Sequence, residues 1–172
     1  MFFKRRKYYY LLLASGWTIL VFHLSSMSYV EQDLKPYLRL FVEEDVIISW
    51  FHSMHLSYSG NVVSVESLGG YSFLEFVLRK GAHLFFYFML GFVLVRYFRT
   101  FLVGKAGKSI LLGFCMVLLI AMLDEFLQHL NPNRSGMWLD VWLDCTGGFL
   151  GVILGSLSDQ TFGTQKRVDH SM

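Results

Sequence analysis

The stretch YYYLLLASGWTILVFHLSSMSYV, residues 8–30, runs for 23 residues without an Asp, Glu, Lys or Arg. A bilayer core is about 30 Å thick, and a helix rising about 1.5 Å per residue needs about 20 apolar residues to cross it. This run meets that length unaided and makes the chain a membrane protein from its N-terminal end. Lys4-Arg5-Arg6-Lys7 precedes it, as in a secretory signal. The run is long for a signal core, however, and no A-x-A-like cleavage site follows, so an uncleaved anchor is expected.

The composition agrees. Of 172 residues, 54% are hydrophobic, 17% aromatic and 16% charged, against about 25% charged in average soluble domains. The apolar residues gather into long runs, which excludes an ordinary cytosolic enzyme, a disordered chain and a disulfide-stapled module. A net charge of +2 with scattered lysines and arginines gives no footprint for nucleic acid. Cys115 and Cys145 both lie in apolar stretches and read as small buried hydrophobes.

Three further uncharged runs are shorter: 15 residues at Gly81–Val95, 15 at Ser109–Leu123 and 14 at Cys145–Ser158. Each reaches spanning length only by including flanking charged residues. The expected spans are therefore roughly 8–30, 80–99, 108–130 and 138–158. The fold class is all-α, a single polytopic membrane domain over 1–172 with four transmembrane helices. Residues 31–79 form a partly ordered extracytoplasmic segment between the first two spans. Within it, Leu38–Phe51 suits a short amphipathic helix, and His55–Ser67 suits a hairpin turning at Ser59-Gly60-Asn61.

Basic residues orient the spans. The N-terminal cluster, Arg96, Arg99, Lys105 and Lys108, and the tail Lys166 and Arg167 hold ten of the fifteen basic residues. The expected protein is multi-pass in a bacterial cell membrane with both termini cytoplasmic.

With that topology the borrowed charges meet at the outer ends of the spans. Arg79, Lys80 and His83 open span two, and Asp124, Glu125 and Gln128 close span three. Arg134 lies in the short loop that follows, and Asp140 and Asp144 open span four. Asp140 and Asp144 share a helical face at i, i+4, as do Lys80, His83 and Tyr87 at +3 and +4. Continuing the aspartate face leads to Gly147, Gly151 and Gly155, a small-residue stripe that allows close helix packing, either within the chain or between copies in a homo-oligomer. Intramembrane ionisable groups mark functional sites by default. Arg79, Lys80, His83, Tyr87, Asp124, Glu125, Gln128, Arg134, Asp140 and Asp144 are thus the candidate ligand-binding residues, and His83, Glu125 and Asp140 the candidate catalytic ones. Asp124 is an alternative partner for Lys80. His129 is expected on a different face, His23 packed or hydrogen-bonded, and His52 and His55 on the surface.

The order of these motifs resembles the VanZ-like family. Arg79-Lys80-Gly81-Ala82-His83 with Tyr87 is similar to its R-K-x-A-H-x-x-x-Y opening, and Asp124-Glu125-Phe126-Leu127-Gln128 to its D-E-x-x-Q. Asn133-Arg134-Ser135-Gly136, then Asp140 and Asp144 before Gly147-Gly148, resembles its next block, with Asp144 where Asn is common. Leu24-Ser25-Ser26-Met27 stands where F-S-S-Q is frequent. The resemblance covers nearly the whole chain. It implies an envelope protein of the kind linked to teicoplanin resistance, with little effect on vancomycin.

Two readings of the cluster follow. In the first, Lys80 and Arg134 hold the phosphate or carboxylate of a lipid-linked or lipoglycopeptide ligand, Asp140 and Asp144 position those cations, and membrane lipids surround the spans. In the second, an enzyme acts on a lipid headgroup, with Glu125 or Asp140 as base, His83 as acid and Arg134 stabilising charge. No cofactor is established by the sequence. The four carboxylates offer a site for a divalent cation such as Mg²⁺ with several waters.

Overall fold

The structure, a computed structural model, describes residues 2–131, 134 and 136–168, with side chains described from Arg5 to Ser158. Asn133 and Ser135 of the loop motif, and the side chains of Lys166 and Arg167, lie outside these limits. The chain runs α1 (Phe2–Ser26), α2 (Lys35–Phe41), α3 (Glu44–Phe51), β1 (Leu56–Tyr58), β2 (Asn61–Val63), α4 (Val65–Leu68), α5 (Gly70–Arg99), α6 (Ala106–Leu130) and α7 (Trp138–Val168). Of these, α1, α5, α6 and α7 are long and apolar enough to cross a membrane.

The long helices alternate in direction. At one end, Arg96 of α5 meets Tyr10 of α1 at 3.2–3.3 Å and Ser158 of α7 at 2.9 Å, while Lys7 sits 5.6 Å from the Phe101 ring. Basic residues collect at this basic end. The opposite, polar end carries the acidic residues of α6 and α7. Between them Val95, Val117, Ala121 and Val152 are fully buried, whereas Leu12, Ile19, Leu111, Phe126 and Leu154 are exposed around the outside. So much outward apolar surface suits lipid, since soluble monomers rarely expose large contiguous apolar patches.

Helices α5 and α7 form the closest pair in the bundle because the glycines of α7 remove the side chains that would hold α5 away. A Cβ on Gly147 would collide with the backbone of Leu84, one on Gly151 with that of Phe88, and one on Gly148 with Val117 of α6. Gly91 of α5 in turn lies against the backbone of Gly148. The Gly147/Gly151/Gly155 stripe is thus taken up inside the chain, with α5 and α7 parallel. Helix α1 joins through Trp17, whose indole N–H donates to the Phe86 carbonyl at 2.8 Å.

Span two differs from the expected 80–99. Helix α5 begins ten residues earlier, at Gly70, and its 30 residues measure about 45 Å, more than a bilayer core. Its first turns are covered by the preceding segment instead of by lipid. Val63, Val65 and Phe73 are buried together, with Phe51, Tyr58, Phe76 and Val77 packed on them. The Glu44 side chain occupies the space beside Gly70, and Tyr71 donates its hydroxyl to the Val42 carbonyl at 3.1 Å. The expected helix at 38–51 is two helices, α2 and α3, set by extended backbone at Val42 and Glu43. The hairpin is shorter than 55–67. Tyr58 pairs with Asn61 across Ser59-Gly60, whose φ values of 51° and 80° are those of a two-residue I′ turn. Ser64 and Ser67 then form a capping box that starts α4.

Candidate functional site at the polar end of the bundle

Three contacts descend the interface of α5 with its neighbours. Lys80 donates to Asp140 Oδ1. One turn deeper, His83 Nδ1 lies 3.3 Å from Asp144 Oδ1, and deeper still the Tyr87 hydroxyl donates to Asp124 Oδ2 at 3.2 Å. The sequence spacing produces this ladder, because +3/+4 steps on α5 run alongside an i, i+4 pair on the parallel α7. Asp124, Asp144 and Tyr87 are each 1% exposed. Asp124 Oδ2 also accepts Ser25 Oγ at 2.7 Å and Gln128 Nε2 at 3.3 Å. All four long helices therefore contribute to one polar centre.

Above it lies a cationic layer. The Lys80 ammonium sits 4.5 Å from the Tyr58 ring and 5.5 Å from Phe76, and the Tyr58 hydroxyl donates to the same Asp140 oxygen. Burial, reinforced by that bond to a carboxylate, raises the Tyr58 pKa above that of a free phenol. Arg79 pairs with Glu75 at 2.7 Å, and Glu75 also faces Lys35 at 3.9 Å. Both Arg79 and Arg134 lie 4.9 Å from the ring of Tyr29.

Arg134 and Glu125 fasten the chain around this layer. Arg134 Nε donates to the Met27 carbonyl at 2.6 Å, and its Nη2 to Gln32 Oε1 at 2.9 Å and the Leu24 carbonyl at 3.4 Å. The last carbonyls of a helix lack intrahelical donors and carry partial negative charge, so the guanidinium closes the end of α1. Burial lowers its pKa from the ordinary arginine value. Glu125 Oε1 accepts the Met137 backbone N–H, and a Cβ on Gly136 would press on Glu125. The acid thereby holds the entry to α7.

The candidate residues thus separate by height. His83, Asp124 and Asp144 converge with Tyr87 and Gln128; Lys80 and Asp140 pair above them; Arg79, Glu125 and Arg134 engage Glu75, Met137 and the end of α1. Lys80 pairs with Asp140, not Asp124. His83 faces Asp144, not the candidate bases Glu125 or Asp140. The four carboxylates do not meet at one point. His129, His52 and His55 are exposed, with His55 3.8 Å from Glu66. His23 is exposed on α1 and not packed as expected.

Sequence reasoning missed Ser25, Gln32, Tyr58 and Glu75. Ser25 had a signal, since it stands in the Leu24–Met27 motif. Tyr58 and Glu75 had none, because their partners depend on how the segment before α5 folds back.

Two cavities open here. One of about 180 Å³ lies between α1 and α5, with Val21, Leu24 and Phe86 on its apolar side and Ser25, Gln32 and His83 among its polar walls. The other, about 280 Å³, is walled by Tyr58, Phe76, Lys80 and Asp140 among others. Arg79 borders both.

The VanZ/LLP1 family model matches residues 8–159, spanning all four long helices and every residue of the site. Neither a curated protein nor a solved structure matches the chain. The chain belongs to the VanZ/LLP1 family and is a VanZ-like multi-pass membrane protein.

Proposed function

We propose that this VanZ/LLP1 protein binds the anionic headgroup of an amphiphile at the polar end of its bundle, and through that binding lowers susceptibility to lipoglycopeptides such as teicoplanin. The polar end faces outward and the basic end the cytoplasm, as the distribution of lysine and arginine favours. The observation that carries the reading is the position of Arg79 between two largely apolar cavities, one that also holds Lys80, Glu75 and Asp140 and one that also holds Ser25, Gln32 and His83. A guanidinium at such a boundary recognises phosphate or carboxylate by charge-assisted bonds, while Val21, Leu24 and Phe86 accept the start of a hydrocarbon chain. The cavity, about 180 Å³ and half open to the outside, has room for a headgroup. Lys80 lends its charge to the other cavity, held in place by Asp140 and Tyr58. Arg134 shapes the site by closing α1.

The test is complementation of a deletion strain with wild type, Arg79→Gln, Lys80→Ala or Asp140→Asn. Membrane levels of each are checked, and teicoplanin is read against vancomycin. Wild type restores teicoplanin tolerance selectively, and variants present at normal levels do not. Full restoration by all three would reduce the cluster to architecture. An enzyme acting on the same headgroup is the second reading, favoured by the pairing of a half-buried His83 with the buried Asp144.

A further inference from the structure

The geometry points to a divalent transition-metal site formed by His83 of α5, Asp124 of α6 and Asp144 of α7, bordering the headgroup cavity through His83 but using ligands that the headgroup reading does not require. One potential ligand atom from each of the three lies within 4.8 Å of the other two. Ligands to one ion at 2.0–2.2 Å sit about 3–4 Å apart, so small side-chain adjustments bring the three onto a metal.

Three observations beyond proximity support this. First, Asp144 is 1% exposed, and its Oδ1, aimed at His83, has no donor in hydrogen-bonding geometry. A buried acceptor without a well-formed hydrogen bond is costly, and a cation held between it and His83 would satisfy it. Second, Asp124 is oriented as ligating carboxylates usually are. Ser25, Tyr87 and Gln128 all donate to its Oδ2 and fix the carboxylate; such supporting bonds hold ligands in register. Third, the local charge is unbalanced. Asp140 is matched by Lys80 and Glu75 by Arg79, while Asp124 and Asp144 gather at His83 with no lysine or arginine in an ion pair with them among the described residues. Carboxylates buried in a low-dielectric interior require a counter-charge or must take up protons.

One imidazole and two carboxylates suit Mn²⁺, Fe²⁺, Co²⁺ or Zn²⁺ better than Ca²⁺, which takes six to eight oxygens. His83, Tyr87 and Ser25 also line the smaller cavity, so remaining coordination positions are reachable by water or an oxyanion. The set differs from the four-carboxylate option, because Asp140 and Glu125 are engaged by Lys80 and by the Met137 N–H.

The test uses the full chain in nanodiscs, purified with a histidine-free tag, stripped by chelator and titrated with Co²⁺ and Zn²⁺. Wild type binds one ion per chain by elemental analysis, and Co²⁺ develops visible bands of a nitrogen–oxygen site. Asp144→Asn and His83→Gln abolish the bands. Ser25→Ala, which removes only a supporting bond, weakens binding about ten- to hundredfold. His52→Gln and His129→Gln leave it unchanged. Stripped wild type that binds neither ion would overturn the site whether or not any variant folds, as would unaltered bands in well-folded Asp144→Asn. Neither result touches the headgroup reading, which is scored by antibiotic tolerance and by lipid binding.

Discussion

His83 Nδ1 and Asp144 Oδ1 face one another at 3.3 Å across the helix pair that glycine brings into backbone contact. The two facts are linked. Gly147 and Gly151 follow Asp144 by about one and two turns, and the close approach they permit sets α5 near enough for its Lys80/His83/Tyr87 face to meet acids on α7 and α6.

Close packing gives the first prediction. Gly151→Ala places a Cβ on the Phe88 carbonyl and costs about 1–3 kcal/mol as overpacking. Gly81→Ala meets nothing within 4 Å and gains about 0.5–1 kcal/mol by stiffening the helix. Thermal unfolding in detergent ranks them, and equal losses from both would refute the packing account.

The Lys80–Asp140 pair is mostly buried, with side-chain exposures of 19% and 10%. Removing one partner strands a charge and costs up to about 3–5 kcal/mol. Lys80→Met with Asp140→Leu together is therefore more stable than either single variant. A double-mutant cycle in nanodiscs measures this, and additive losses would contradict the pairing.

Ser25 joins α1 to the polar centre through Asp124 at 2.7 Å. Ser25→Ala leaves that buried carboxylate one donor short, a loss of about 1–3 kcal/mol, with cross-linking between α1 and α6 weakened accordingly. Wild-type stability in Ser25→Ala would remove α1 from the site.

Alkaline pH supplies a fourth. Burial and Asp140 raise the Tyr58 pKa in the folded state, so the folded protein keeps this proton where the unfolded chain releases it. The stabilisation is complete below about pH 10, the ordinary phenol value, and is lost as pH climbs above it. Unfolding compared at pH 8 and pH 10.5 shows a smaller alkaline loss in Tyr58→Phe than in wild type. Equal losses would show that Tyr58 titrates as a free phenol.

Much of this was legible in the sequence, and the limits have physical reasons. Runs of uncharged residues defined four spans, and helical period placed Lys80, His83 and Tyr87 on one face and Asp140 with Asp144 on another. Those faces survive in the structure because helix geometry is local. Partner choice is not local. Ser25 finds Asp124 across 99 residues and Tyr58 finds Asp140 across 82, which depends on helix order around the bundle and on the fold of the segment before α5. The same segment explains the late reading of α5. Residues 70–79 carry Glu75 and Arg79 and look too polar for a span, yet they are helical because Phe73, Phe76 and Val77 pack on a small core of their own.

The central claim, an anionic-headgroup site bordered by Arg79, is tested most directly by equilibrium binding of a fluorescent phosphatidate to the protein in phosphatidylcholine nanodiscs. Matched fluorescent phosphatidylcholine serves as the comparison. Wild type should prefer phosphatidate by tenfold or more, and Arg79→Gln should lose roughly ten- to hundredfold of that affinity, the range expected for hydrogen bonds to a charged group. Equal binding of the two lipids, or unchanged affinity in Arg79→Gln, would contradict the account.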